Sequence, residues 1–186
     1  MVEYDVENHL YKIDGERVPS VTELLPEQSF YCTPEQLEAA RLDGVDNHNK
    51  IRMYYDTGQT FEDPFIEQYH NLIEENKNLL GGFQFNEKFL FSVRLKFGGT
   101  PDTIYEKAII DLKRSKGDDK RQALQMAGYN ILLRENKIQA KKIWLLIYGV
   151  NDKLKIKNIY DSQAENIFLA LRKRYDLNQA IENYIK

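Results

Sequence analysis

The longest continuous apolar run in the chain, Ile143-Trp144-Leu145-Leu146-Ile147-Tyr148, constrains its fold more than any other feature. It falls far short of the roughly 20 residues that a membrane-spanning helix needs, so protein must cover it. Its length and its aromatic and branched residues read as a buried strand from Lys142 to Val150, turning at Asn151-Asp152 and returning over Leu154 to Ile159. Two shorter strands are expected upstream, Asp102 to Tyr105 and Ala108 to Lys113, with Glu106-Lys107 as their turn. Between the two pairs, Asp118 or Asp119 can cap a long helix with Leu124, Ala127, Gly128, Ile131 and Leu132 on one face. Strands alternating with helices predict an α/β (α+β) fold with a mixed central sheet flanked by helices.

Other local signals fill in the remainder. Asp14-Gly15 between Leu10-Tyr11-Lys12-Ile13 and Arg17-Val18 predicts a hairpin. Ser20 and Glu23 form a capping box for a short helix through Leu24 and Leu25 that Pro26 stops. Thr33-Pro34-Glu35-Gln36 opens a helix toward Gly44, with further helices expected over Val45 to Tyr55 and Asp63 to Asn76. Gly81-Gly82 breaks the helical pattern, and Lys88 to Phe97 reads as a strand. Ser162 and Glu165 supply a capping box for a final helix with Ile167, Phe168, Leu171 and Tyr175 on one side. The 186 residues suffice for one core and not comfortably for two, so a single domain over 1–186 is expected. Within it, 1–80 holds the hairpin and first helices, 83–160 the catalytic sheet and helix, and 161–186 the last helix.

Composition excludes several classes. A chain with 42% hydrophobic and 30% charged residues is not disordered. The net charge of −3 and pI near 5.7 give no overall attraction for a polyanion, so any nucleic-acid contact must come from a local basic surface. Cys32, the only cysteine, rules out an internal disulfide or a four-cysteine cluster and reads as a packing residue or free thiol. The opening Met1-Val2-Glu3-Tyr4-Asp5 lacks the pattern of a secretory signal, so a cytoplasmic protein without membrane contact is expected.

The segment Gly98 to Ser115 carries the chemistry. In a strand over Ala108 to Lys113, alternation puts Asp111 and Lys113 on one face and Ile110 and Leu112 on the other. Asp102, on the preceding strand of a tight hairpin, can reach the same spot. Two carboxylates beside an ammonium suit phosphodiester hydrolysis, because hard oxygen donors hold Mg²⁺ or Mn²⁺ and leave room for water and a phosphate oxygen. Lys113, next to two carboxylates, stays protonated and positions water or phosphate. Arg114, Lys116, Lys120 and Arg121 cluster beside it and can grip a phosphate backbone. By themselves, Asp111 and Lys113 equally fit a solvated ion pair. Arg172-Lys173-Arg174 reads as a solvated face, and His9 and His70 as structural or exposed.

Pro101-Asp102 followed by Asp111-Leu112-Lys113 resembles the signature of the PD-(D/E)XK nuclease superfamily, whose core is restriction-endonuclease-like. Gln125 and Tyr129, four apart on the next helix and so on one face, resemble the Q-x-x-x-Y element of its RecB-like and lambda-exonuclease-like branch. His48, four residues after Gly44, resembles the additional metal-binding histidine of that branch, although the Arg-Gly-Thr lead of many relatives is missing. The N-terminal Tyr11 to Leu25 is similar to the opening of many phage and bacterial members. The resemblance implies a metal-dependent DNA nuclease, with an exonuclease of recombination, repair or replication foremost. It implies that Asp102, Asp111 and the carbonyl of Leu112 hold Mg²⁺ or Mn²⁺, that His48 adds a nitrogen, and that Lys113 is catalytic. Gln125 and Tyr129 would brace the site or meet substrate, and Glu87 would support it. No iron-sulfur cluster is implied. A structure- or sequence-specific endonuclease and a catalytically silent DNA-binding subunit remain open, as do a homo-oligomer and a recombination or replication partner protein.

Overall fold

The two apolar strands of the sequence lie side by side near the middle of one sheet. The computed structural model describes residues 1–5, 10–27, 33–115, 117–151 and 153–185. In chain order these form β1 (Val2–Asp5), β2 (Leu10–Ile13), β3 (Glu16–Val18), α1 (Pro34–Thr57), α2 (Pro64–Leu80), β4 (Phe83–Asn86), β5 (Leu90–Ser92) and β6 (Phe97–Gly99). Next come β7 (Thr103–Tyr105), β8 (Ala108–Lys113), α3 (Asp119–Glu135), β9 (Ile143–Val150), β10 (Lys153–Asn158) and α4 (Ala164–Ile185).

The central sheet has five strands in the order β10-β9-β8-β7-β4. Only β8 and β9 run parallel, joined through α3, so the sheet is mixed as expected. Its two faces bury different cores. Ile109, Trp144 and Leu146 pack with Met126, Leu132 and Phe168 from α3 and α4. Ile110, Leu112, Leu145 and Ile147 pack with Ile51, Ile66, Tyr69 and Leu80 from α1 and α2. Coverage on both faces explains why β8 and β9 read as apolar runs rather than alternating strands. Against the first face, Gly128 admits α4: a Cβ there would stand 2.7 Å from the Phe168 ring, so any side chain would push the two helices apart.

Several local signals act as read. Asp14 and Gly15 both take positive φ, 52° and 81°, which closes the β2–β3 hairpin. Thr33 and Gln36 form a reciprocal capping box with Pro34 next to the cap, Asp63 caps α2, and Asp118 caps α3. Among the described residues, no helix is long and apolar enough to cross a membrane.

Other readings are corrected. The expected break at Gly44 is absent: α1 runs unbroken to Thr57, because one helical glycine costs only about 1 kcal/mol. The box at Ser20 and Glu23 forms, but it starts only a single 3-10 turn over Thr22–Leu24. β1, which pairs with β2, and β4, at the sheet edge, were not expected. Lys88 to Phe97 is not one strand. It folds into the β5–β6 hairpin with Lys96 at φ 50° in its turn. Arg172 holds that turn by donating to the carbonyls of Leu95 (2.8 Å) and Lys96 (3.0 Å), so it is 6% exposed rather than part of a solvated face. Glu165 likewise abandons its expected cap role, because Asn130 (2.7 Å) and Arg134 (2.6 Å) take its carboxylate, while Asp161 accepts from the Gln163 amide. Ile167 faces solvent instead of the core.

Candidate functional site

The site grows from a local irregularity in the β7–β8 pair. The paired register Thr103↔Ile110 and Ile104↔Ile109 stops short of Pro101 and Leu112, so the Leu112 amide needs an acceptor other than a β7 carbonyl. There the Asp102 side chain takes over, its Oδ2 accepting the Leu112 amide proton at 2.8 Å. Asp102 is thereby fixed beside the end of β8. Alternation along β8 turns Asp111 toward α3, where it is 1% exposed. The Lys113 ammonium donates to Asp111 Oδ1 at 2.9 Å, and Gln125 Nε2 donates to the same oxygen at 3.1 Å and to the Tyr129 hydroxyl at 3.0 Å. Asp111 Oδ2 lies 2.8 Å from the same ammonium, yet it is buried and accepts no hydrogen bond of good geometry among the described residues.

Helix α1 supplies the opposite wall. His48 Nε2 stands 3.7 Å from Asp102 Oδ2, and its Nδ1 3.4 Å from Glu87 Oε1. Glu87 adopts φ 46°, uncommon for a non-glycine residue, while its amide donates to the Asp102 carbonyl at 2.9 Å. The structure therefore brings Asp102, Asp111, Lys113, Gln125, Tyr129, His48 and Glu87 to one place.

Electrostatics follow from that packing. Burial drives the Asp111 carboxyl up to about 6, with Lys113 pulling the other way. Burial also opposes the Lys113 charge, but Asp111 and Asp102 more than compensate, so its pKa is raised and the amine stays protonated. Asp102, working against burial and aided by Glu87, lifts His48 to about 9. Tyr129, buried beside both aspartates, is held well above the ordinary phenol range and remains neutral.

The donor chemistry fits a hard divalent cation. Asp102 and Asp111 supply carboxylate oxygens, His48 lies beside Asp102, and the buried Oδ2 of Asp111 is a lone-pair oxygen without a directed partner. The placement is not a closed cage: among the described residues, no three His, Cys, Asp or Glu side chains are gathered around one point as a cation requires. Lys113 and His48 supply the positive charge beside the carboxylates.

Above these groups lies a cleft of about 840 Å³ whose lining includes Asp102, Leu112, Lys113 and Tyr129. Its lining carries Arg41, Arg52, Lys113 and Arg114 with Glu87 and Asp102, and of these cations Arg41 pairs with Glu38, Arg114 with Asp43 and Lys113 with Asp111. Of the basic residues expected to grip phosphate, Arg114 lines the cleft and pairs with Asp43 of α1. Lys120 is exposed in the first turn of α3 and Arg121 donates to the Pro26 carbonyl, neither of them on the cleft wall. Lys116 lies outside the described residues, as do Cys32 and His9. His70 is half-buried and stacked on Tyr54.

Arg41 and Arg52 escaped the sequence reading, although a signal existed. Residues 41, 48 and 52 recur at helical spacing on one face, visible only once α1 continues through Gly44. Tyr4 and Phe89, also on the cleft wall, had no such signal.

No family model matches the chain, and no curated protein matches it. Solved structures similar to it include a candidate exonuclease from Eubacterium rectale, at 13% identity and TM-score 0.44, covering 79% of this chain and 66% of that one. Another is a phage-related exonuclease from Haemophilus somnus 129PT, at 14% identity and TM-score 0.39, covering 90% of this chain and 96% of that one. The chain thus spans just under two thirds of the first of these proteins.

Proposed function

We propose that the protein is a metal-dependent deoxyribonuclease that hydrolyses phosphodiester bonds, with action from DNA ends the foremost mode. One observation carries this reading: a buried aspartate, Asp111, is held between Lys113 and Gln125 with one oxygen free of directed hydrogen bonds, beside Asp102 and His48 and below a cleft that Arg41, Arg52 and Arg114 also line. A structural ion pair needs no such convergence. Asp102, Asp111 and the Leu112 carbonyl would hold Mg²⁺ or Mn²⁺, with His48 as a nitrogen donor once it releases its proton. When bound, the ion lowers the pKa of water and offsets charge building on phosphate. Lys113, kept cationic by the aspartates, orients water or a phosphate oxygen. Gln125, braced by Tyr129, fixes the rotamer of Asp111.

Incubation of the purified protein with linear and circular DNA, in Mg²⁺, Mn²⁺ or EDTA, tests the proposal. Metal-dependent loss of linear DNA alone is the expected result. Nicking of circles would instead identify an endonuclease, and the absence of metal-dependent cleavage in every condition would overturn the assignment in favour of a DNA-binding subunit.

A further inference from the structure

We infer that the wall of the cleft formed by Phe89 and Tyr4 is a stacking platform for an unpaired nucleobase, so that the site takes a single-stranded nucleic-acid terminus rather than an intact duplex. This deepens the nuclease reading and rests on it for the identity of the neighbouring chemistry. Phe89 is 41% exposed although it is a large apolar residue, and it lines the same cleft as Asp102 and Lys113. Its ring sits 3.9 Å, centroid to centroid, from that of Tyr4, whose ring lies 4.7 Å from that of Tyr11. Tyr11 is 4% exposed and is anchored through its hydroxyl to Thr100 Oγ1 at 2.7 Å. A ladder of rings thus runs from the folded interior to the cleft, and its outermost member is left uncovered.

Tyr11 packs so closely on β6 that a Cβ at Gly98 would stand 2.2 Å from its ring, which leaves the inner end of the ladder no slack on that side. The same cleft is lined by Arg41, which pairs with Glu38, and by Arg52, which donates to Asn49 and stands 3.7 Å from Glu87; both guanidinium groups stay largely open to solvent, where they can meet a phosphodiester chain. Aromatic faces next to a cationic track are the arrangement that holds single strands without regard to sequence, because every base has a π-face. The cleft volume of about 840 Å³ lies within the roughly 300–1,000 Å³ of sites that enclose a small ligand, which suits a few nucleotides of one strand.

The test is a fluorescence-anisotropy titration in EDTA, where binding is read without turnover. The probes are a labelled oligothymidylate, an abasic tetrahydrofuran chain of equal length, and a blunt duplex. Expected is binding of the base-bearing strand on the order of ten-fold tighter than the abasic chain, with the duplex weaker than the strand. Phe89→Ala should erase the difference between strand and abasic chain while leaving abasic binding unchanged, and Phe89→Trp should restore it. Arg52→Ala should weaken strand and abasic chain alike and flatten the salt dependence. Equal binding of strand and abasic chain by the unaltered protein, or full discrimination retained by Phe89→Ala, would overturn the platform. The two proposals separate cleanly: base-dependent binding without cleavage sinks only the nuclease, and cleavage without base dependence sinks only the platform.

Discussion

Lys113 and Lys141 stand at opposite ends of the β8–β9 pair, the first half-buried on the cleft wall and the second buried, and they differ in what surrounds them. Lys141, 2% exposed, donates to Gln84 Oε1 and to the Glu106 carbonyl, both at 2.9 Å, and among the described residues it pairs with no carboxylate. Its pKa is lowered, because burial outweighs the weak pull of Glu106. Lys113 meets Asp111 and Asp102 and keeps its charge more firmly than a lysine in water. One end of the sheet uses an ammonium as a donor that ties a loop in place. The other end concentrates charge, burying an aspartate at a cost that folding does not require, and such expense marks functional sites.

Substitution at the charged end should have the largest consequence. Lys113→Ala is expected to reduce DNA cleavage on the order of 10²–10³-fold with the fold retained, as loss of an electrostatic stabiliser does. Circular dichroism and a plasmid-degradation assay check this, and full cleavage by the variant would remove Lys113 from its role.

The next effect concerns stability and has an unusual sign. The folded-state pKa of Asp111, about 6, lies above its value near 3.9 in an unfolded chain, so the folded state holds the proton more tightly. Stability from this group is greatest at low pH and is lost as pH rises through about 6. Asp111→Asn should therefore be inactive yet more stable than the parent at pH 8 in EDTA, with the advantage vanishing below about pH 4. Denaturant titrations at the two pH values decide; a variant less stable at pH 8 would show that the pairing of Asp111 with Lys113 outweighs the cost of its burial.

Lys141→Ala, at the other end, should cost about 2 kcal/mol by leaving the Glu106 carbonyl without its donor, yet leave cleavage per folded molecule unaltered. Loss of activity in proportion to Lys113→Ala would abolish the contrast between the two ends. Tyr129→Phe should be the mildest change. It removes one acceptor for Gln125, so a loss of about 1 kcal/mol and less than a ten-fold fall in cleavage are expected from thermal melts and initial rates.

Elements with strong local chemistry were readable in advance. The Asp14-Gly15 turn, the Thr33 capping box, the two-sided apolar strands and the long helix after Asp118 all rest on forces between near neighbours in the chain. What escaped depends on distant partners. The turn between β5 and β6 has no Gly, Pro or Asn, and Arg172 stabilises it from 77 positions away. Glu165 looked like a cap because its natural rivals for hydrogen bonds, Asn130 and Arg134, come from another helix. The candidate site divides the same way. Alternation on β8 placed Asp111 and Lys113 together, whereas Arg41, Arg52, Tyr4 and Phe89 reach the cleft only through the docking of α1 and the N-terminal strands.

By itself, then, the order of residues determined which segments become strand or helix and which acidic and basic groups share a strand face, because pleat and helical repeat are short-range geometry. The tertiary structure alone decided how deeply Asp111 is buried, which arginines line the cleft above it, and which ring is left uncovered. Those quantities depend on solvent exclusion and on Coulomb interactions between groups far apart in the chain, and no local pattern encodes them.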